Sequence, residues 1–422
     1  MSERPEIDDT PEPDSPEIEA ARHLLSAEAV RERSAALFAH IEAGKSEHFR
    51  FDAAALPAIA DRVAAVTRER YPDLAVPLHA RFRHFESPGL DRFASLAAAR
   101  EWATPQEAAR AMGDLAIVSV LLDAGAGPTW RYREAATGEV AGRSEGLALA
   151  SFAMFASGAF SAVPADPLRA DAAALEIVGE EEFADGFQIS ADNPLEGAEG
   201  RRALLASLAA ATRAAPDLFA TEDDPRPGGL IDALAAEAVD GELPATMILA
   251  MVLEGLAPIW PSRLELGGIA LGDAWRHPAL GDGTPGSDIV PFHKLSSWLS
   301  YSLVEPLVIR GIDVVDLDAL PGLAEYRNGG LFVDGRALSL VAPPAAPLPV
   351  DHPLIVEWRA ATVTLLDRLA PMVRERLDAP PEALPLAAIL EGGTWATGRL
   401  LAAEARPDRT PPIAIISDGT VF

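Results

Sequence analysis

SAEAVRERSAALFAHIEAG, residues 26–44, sets apolar side chains three and four residues apart with charges between them. That spacing lines one face of a helix and cannot line one face of a strand. DAAALPAIADRVAAVTRERY, residues 52–71, repeats it, so the chain up to about residue 112 reads as amphipathic helices. MGDLAIVSVLLDAGAGP (112–128) then ends a buried helix in a glycine-rich turn. TWRYREAATGEVAGRSEG (129–146) reads as two short strands around ATGE, followed by a small-residue helix, LALASFAMFASGAF (147–160). Residues 168–245 return to helix, with a polar, proline-bearing interruption at TEDDPRPGG (221–229). PIWPSRLELGGIALGDAWRHP (258–278) is irregular to β-like, whereas KLSSWLSYSLVEPLVIRG (294–311) is helical. GLFVDGRAL (330–338) has the pattern of a hairpin around Asp334-Gly335, VEWRAATVTLLDRLAPMVRERL (356–377) is a long amphipathic helix, and PPIAIISDGTVF (411–422) is an apolar, β-like run. There is no repeat of 20 to 50 residues. The expected fold is mainly α: a multi-helical domain with a few short strands or hairpins.

Composition narrows the function. At 44.5 kDa and 49% apolar residues the chain can bury a large core, and one elaborate domain over residues 18–422 is expected behind a disordered acidic tail, 1–17. A formal charge of −29 argues against a nucleic-acid binder, which needs a basic face to displace counterions. The absence of cysteine removes disulfides, thiolate metal sites and cysteine nucleophiles together. The acidic start has neither the basic nor the apolar region of a signal peptide, and no segment offers about 18 uncharged apolar residues; a cytoplasmic protein without membrane association is expected. Of the 35 basic residues only Lys45 and Lys294 are lysine. In so arginine-biased a chain, a retained lysine hints at a place where a compact, rotatable ammonium is required.

Several chemistries lack their signatures. There is no Walker A sequence, no G-x-G-x-x-G between a strand and a helix, and no HExxH. The histidines are scattered, with His277 and His293 in polar, tryptophan-rich surroundings. No metal and no cofactor is expected, and a Ser-His-Asp hydrolase is discounted with them. What stands out is a set of segments rich in Trp, Arg, carboxylates and glycine: GAGPTWRYRE, GRSEG, APIWPSRLELGG, LGDAWRHP, FHKLSSWLSY, LAEYRNGG, VEWR, EGGTW and SDGTVF. Tryptophan beside Arg or His suits a pocket that stacks on a flat group and binds an anion.

These motifs, in this order from about residue 20 to the end, resemble the microbial uracil-catabolism family long described as a domain of unknown function. The resemblance implies action beside a GTP-cyclohydrolase-II-like ring-opening enzyme and a uracil phosphoribosyltransferase, on an intermediate of ribosylurea type that must lose urea. LAEYRNGG, with a lysine in FHKLSSWL about thirty residues earlier, is also similar to the carboxylate-Tyr-Arg segment and upstream lysine of queuosine-nucleotide N-glycosidases, whose fold resembles the helix-hairpin-helix DNA glycosylases. Glu325 stands where those enzymes have aspartate, and Asn-Gly-Gly replaces their apolar, proline-bearing continuation. The resemblance thus implies an N-ribosyl hydrolase with a DNA glycosylase-like, mainly helical fold and a small ribosyl or nucleotide-derived substrate.

Chemistry assigns the roles. Breaking a ribose C1–N bond develops positive charge on the sugar, so a carboxylate beneath C1 stabilises the transition state or attacks it; Glu325 is the candidate. Protonation of the leaving nitrogen falls to a second acid, Asp418 or a neutral Glu357. Lys294, Arg327 and Arg276 are candidates for a 5′-phosphate, and Trp130 and Trp275 for walls against the planar group. Glu145, His293, Tyr326 and Asn328 complete the expected substrate-binding set; Tyr326, read on a strand, would face away from Glu325. Gly329 and Gly330 are read as a tight turn. Two alternatives are a metal-dependent amidohydrolase of the same route and a non-catalytic pyrimidine-nucleotide-binding partner of the ring-opening enzyme.

Overall fold

The computed structural model describes residues 15–416 apart from 88, 124, 222–223 and 261–263. Side-chain caps set where the early helices begin. Ser15 opens α1 (Pro16–Leu24) and Ser26 opens α2 (Ala27–Glu42), each hydroxyl accepting from a backbone N–H three residues on. α3 (Leu56–Arg70) and α4 (Arg92–Arg100) follow, and Thr104, with Pro105 behind it, starts α5 (Pro105–Leu121). α6 (Arg143–Ser157) stops at left-handed Gly158. The middle of the chain holds α7 (Ala172–Ile177), α8 (Glu180–Gly186), α9 (Ala198–Ala214), α10 (Pro216–Phe219), α11 (Gly229–Glu237) and α12 (Ala245–Leu256). The last third holds α13 (Lys294–Arg310), α14 (Tyr326–Asp334), α15 (Pro353–Leu377), α16 (Leu386–Ile389) and α17 (Trp395–Ala405). The protein is mainly α, as the periodicity implies. Strands occur as short pairs, such as antiparallel Ala274–Arg276 with Ile289–Pro291 and parallel Leu348–Pro349 with Ile415–Ile416. No described helix is long and apolar enough to cross a membrane.

Two elements depart from the sequence reading. The expected hairpin at Asp334-Gly335 is the end of α14; Gly335 caps that helix, and Leu338–Leu340 pairs instead with Phe49–Phe51, far away in the chain. Asp-Gly suits a helix end as well as a hairpin, and packing on α15 and α17 decides between them. Gly329 and Gly330 therefore lie inside a helix and not in a turn: a Cβ on Gly329 would sit 2.7 Å from the Trp358 ring. The boundary of the acidic tail also shifts, because Pro16 and Glu17 are helical and Ile18 is buried; residues 1–14 lie outside the described set.

The core positions the site. α13 packs along α5 and is buried nearly all round, serines included. Ser300 and Ser302 return their hydroxyls to carbonyls one turn back, both at 2.9 Å, so their burial leaves no donor unpaired. Ser302 also accepts from the Arg81 backbone N–H (2.9 Å), and Tyr301 donates to the Pro321 carbonyl (2.8 Å). α13 thereby holds both the segment around Arg81 and the approach to Glu325. Asp273 and Arg359 form a buried bidentate pair, both contacts 2.7 Å, that joins α15 to the loop before α13. The Asp273 carboxylate also accepts from the Trp275 indole (2.8 Å) and the Lys294 backbone N–H (3.0 Å). Burial opposes ionisation of Asp273, but Arg359 and these donors outweigh it and hold the carboxyl well below its usual range.

Asp273→Asn leaves the Arg359 charge uncompensated, and we expect a loss of about 3–5 kcal/mol in urea denaturation. Among the glycines, Gly398→Ala brings its Cβ to 2.3 Å from the Arg327 carbonyl, where α17 crosses α14, and is expected to destabilise by about 1–3 kcal/mol. Gly200→Ala in α9 meets open space and is expected to stabilise by about 0.5–1 kcal/mol, a contrast that thermal melts will read directly.

Candidate active site

Three helices begin at one cavity of about 340 Å³. α14 contributes Glu325 as its N-cap, whose carboxylate accepts from the Arg327 N–H (2.7 Å) and the Asn328 N–H (2.5 Å). Tyr326 and Arg327 follow on the cavity wall. α13 contributes Lys294 at its first position and Trp298 one turn later. α6 contributes Arg143 and Ser144, and no side chain caps its first turn. Its Arg143, like His293 before α13, has a left-handed backbone, with φ of 55° and 45°. Strain of this kind, of order 1–3 kcal/mol per residue, gathers at sites whose surroundings enforce it.

The fourth wall is the segment between α3 and α4. His79 stacks on the Trp298 ring at 6.2 Å between centroids, His84 meets the same ring edge-on at 5.8 Å, and the Arg81 guanidinium lies 5.5 Å from its centre. The Lys294 ammonium approaches that ring at 5.6 Å. Arg81 also donates to Ser119 (2.7 Å) and pairs with Asp123 (3.2 Å), whose carboxylate accepts from the Ser144 hydroxyl. Asp123 lines the cavity, giving it a second carboxylate beside Glu325. The Trp298 Nε1 and His84 Nδ1 are buried without a hydrogen-bond partner among the described residues, closed off behind the cavity wall.

Burial and charge set the protonation states. Burial, with Arg81 adding to it, drives His84 down to about 3, so it is neutral. Burial lowers Lys294 against the pull of Asp123 and Glu325. Glu325 is raised by burial, opposed by its two backbone donors and by Lys294.

Of the residues expected at the site, Glu325, Lys294, Tyr326 and Arg327 line this cavity. Tyr326 does so because it opens a helix; the strand reading that turned it away is corrected. The others are committed elsewhere. Glu357 lies on α15 and accepts from Ser46 (2.5 Å), with His277 at 3.5 Å. Arg276 is an exposed residue paired with Asp288 (2.6 Å). Trp130 is wholly buried and donates to the Phe187 carbonyl (3.0 Å), and Trp275 donates to Asp273. Glu145 faces Arg399 at 3.5 Å. His293 lies against the Leu24 carbonyl, Nε2 to oxygen 2.8 Å. Asn328 is buried, accepting from Thr394 (2.9 Å) and donating to the Leu323 carbonyl (3.3 Å). Each satisfies a buried neighbour or a surface charge, which residue type and local motif do not disclose. Asp418 lies outside the described residues.

Sequence reasoning missed His79, His84, Asp123, Arg143, Ser144 and Trp298 as lining residues. Two of the eight histidines fall five positions apart in HARFRH (79–84) among arginines, a signal that was there to read. GRSEG (142–146) has the literal G-x-S-x-G spacing between a strand and a helix, contrary to the discounting of serine hydrolases. Ser144, however, donates to a carboxylate and has no histidine partner among the described residues.

Comparison with known proteins adds a family. The family described as "Protein of unknown function (DUF1688)" matches residues 23–422. Protein urg3 of Schizosaccharomyces pombe is 38% identical over 417 residues, covering 96% of this chain and 99% of that protein. Uracil catabolism protein 4 of Lachancea kluyveri is 36% identical over 438 residues, covering 95% and 98%.

His277 supplies a test of the assignment of Glu357 and its surroundings to packing. Burial first, then the charges of His40 and His48, lowers its pKa from 6.5 to about 4. The unfolded chain therefore binds more protons in that interval, and the stabilising contribution present above pH 6.5 is lost as pH falls towards 4. Measured as wild type minus His277→Gln, unfolding free energy should decline across this window, while activity at neutral pH stays within about twofold, because sites away from the chemistry add independently.

Proposed function

The chain belongs to the DUF1688 family, and we propose that it acts in uracil catabolism as an N-ribosyl hydrolase, releasing urea from ribosylurea or its 5′-phosphate. The observation that carries this reading is Glu325: a buried carboxylate, fixed by two backbone N–H groups, on the wall of the cavity that Lys294 also lines. Each carboxylate oxygen has a second lone pair beyond its capping bond, so Glu325 can face an electron-poor C1 while its geometry stays locked. The positive charge that develops on the sugar is met by a preorganised negative one.

The rest of the wall suits the two ends of such a substrate. Tyr326 and Trp395, both partly exposed on the cavity wall, offer aromatic surface for the planar ureido group. Arg143, Arg409 and Lys294 line the same cavity without an ion-pair partner among the described residues, which fits an anionic substituent in a chain of charge −29. Asp123, held by Arg81 and Ser144, is a second carboxylate on the same wall, committed to those two partners. A ring-opening enzyme of GTP-cyclohydrolase-II type would supply the substrate.

The test follows urea and ribose by NMR after adding ribosylurea or its 5′-phosphate, with and without EDTA. We expect release that resists EDTA and falls at least about 100-fold in Glu325→Gln, with a capping loss of about 1 kcal/mol in stability. Because burial raises Glu325 above 4.5, the acid limb of kcat/KM should lie above that pH. Turnover unchanged in Glu325→Gln would remove the carboxylate from the chemistry; release abolished by EDTA would favour the amidohydrolase alternative.

A further inference from the structure

Nothing so far supplies the proton that urea needs to leave. The EGGTW motif lies where α16 passes into α17, and residues Leu390–Thr394 there form a π-helical turn, a rare widening often found at functional sites. Gly392 and Gly393 let this turn press against α3, where a Cβ would come within 3.0 Å and 2.5 Å of Thr67 side-chain atoms. The turn delivers Glu391 to His79: the carboxylate Oε2 lies 2.8 Å from Nδ1. The other oxygen, Oε1, accepts from Arg70 (3.1 Å) and Tyr71 (3.3 Å). Burial alone would raise Glu391, but the His79 hydrogen bond and the His79 and Arg70 charges outweigh it and bring the pKa to about 2. An ionised carboxylate only accepts, so Nδ1 carries a proton and Nε2 is left for other work.

His79 lines the cavity, its ring stacked on Trp298, and its Nε2 has no partner among the described residues. Resting on the N-ribosidase reading, we propose that His79 is the general acid for the leaving nitrogen and that Glu391 is its positioning residue. Water adds to C1 as the C1–N bond breaks, its electron pair passing to the ureido nitrogen. Nε2 of the imidazolium protonates that nitrogen, and the attacking water gives its proton to Glu325. Ribose and urea leave, and proton exchange with solvent restores His79 and Glu325. The titratable and charged groups around His79 are Glu391, Arg70 and Tyr71 from one side, Arg81, Arg83 and the neutral His84 from its own segment, and Lys294 and Glu325 across the cavity. Glu391 is the anion in contact with it.

The experiment compares leaving groups. His79→Gln should lower kcat for ribosylurea by about 100-fold or more, the lower range for general acid catalysis. It should lower kcat for 4-nitrophenyl β-riboside, whose leaving group needs no proton, by less than about tenfold. Glu391→Gln no longer fixes the Nδ1–H tautomer, so it should lower kcat for ribosylurea by about tenfold and leave 4-nitrophenyl β-riboside within about twofold, with Glu391→Asp partly restoring the first. Equal losses on both substrates in either variant would overturn the assignment. Imidazole ¹⁵N shifts decide the pairing without turnover: an Nδ1–H tautomer of His79 in wild type that is lost in Glu391→Gln supports it, and an unchanged tautomer refutes it. Absence of urea release by wild type would instead count against the N-ribosidase reading.

Discussion

The buried pair of Asp273 and Arg359 determines where the site is. One carboxylate closes four contacts: two to the guanidinium on α15, one to the Trp275 indole and one to the backbone N–H of Lys294. The guanidinium in turn reaches the Ala324 carbonyl (3.3 Å), the residue before Glu325. The starts of α13 and α14 are thus tied to one ion pair beneath the cavity. A buried pair is weak as a source of stability but strong as a constraint, because an unpaired charge there is so unfavourable that few alternative packings survive. Lys294 and Glu325 are held at a fixed relation through their backbones, leaving both side chains available to a ligand.

Charge is distributed to the same end. The chain carries 64 acidic residues against 35 basic ones, and most arginines are spent on a carboxylate or a carbonyl, as Arg31 is on Asp367 and the Leu320 carbonyl. Basic groups left over at the cavity therefore act at short range within an acidic exterior, which favours a small anion that can enter over a polyanion that cannot.

Helix was legible because it is a local property: the periodicity of residues 26–44 and 52–71 needs no partner to be recognised. The end of α14 was not, since Asp334-Gly335 satisfies two local grammars and only packing on α15 and α17 chooses one. The segment from Lys294 to Trp298 and that from Glu325 to Arg327 were legible as chemistry. Trp130, Trp275 and Glu357 carried the same residue-type signal, yet their polar atoms are consumed by Phe187, Asp273 and Ser46. Composition announces that a polar group exists; only the fold tells whether it is already satisfied. His79 and Glu391, 312 positions apart, show the converse.

The π-helical turn at Leu390–Thr394 places that relation under unusually simple genetic control. A helix advances by about 100° for each residue, so the phase between Glu391 and Trp395 depends on the count of residues as much as on their identity. A chain with one glycine fewer between them would keep every functional side chain and nearly every apolar contact, and still show these two to different faces. Length, a property that substitution never alters, is here part of what aims side chains at the cavity.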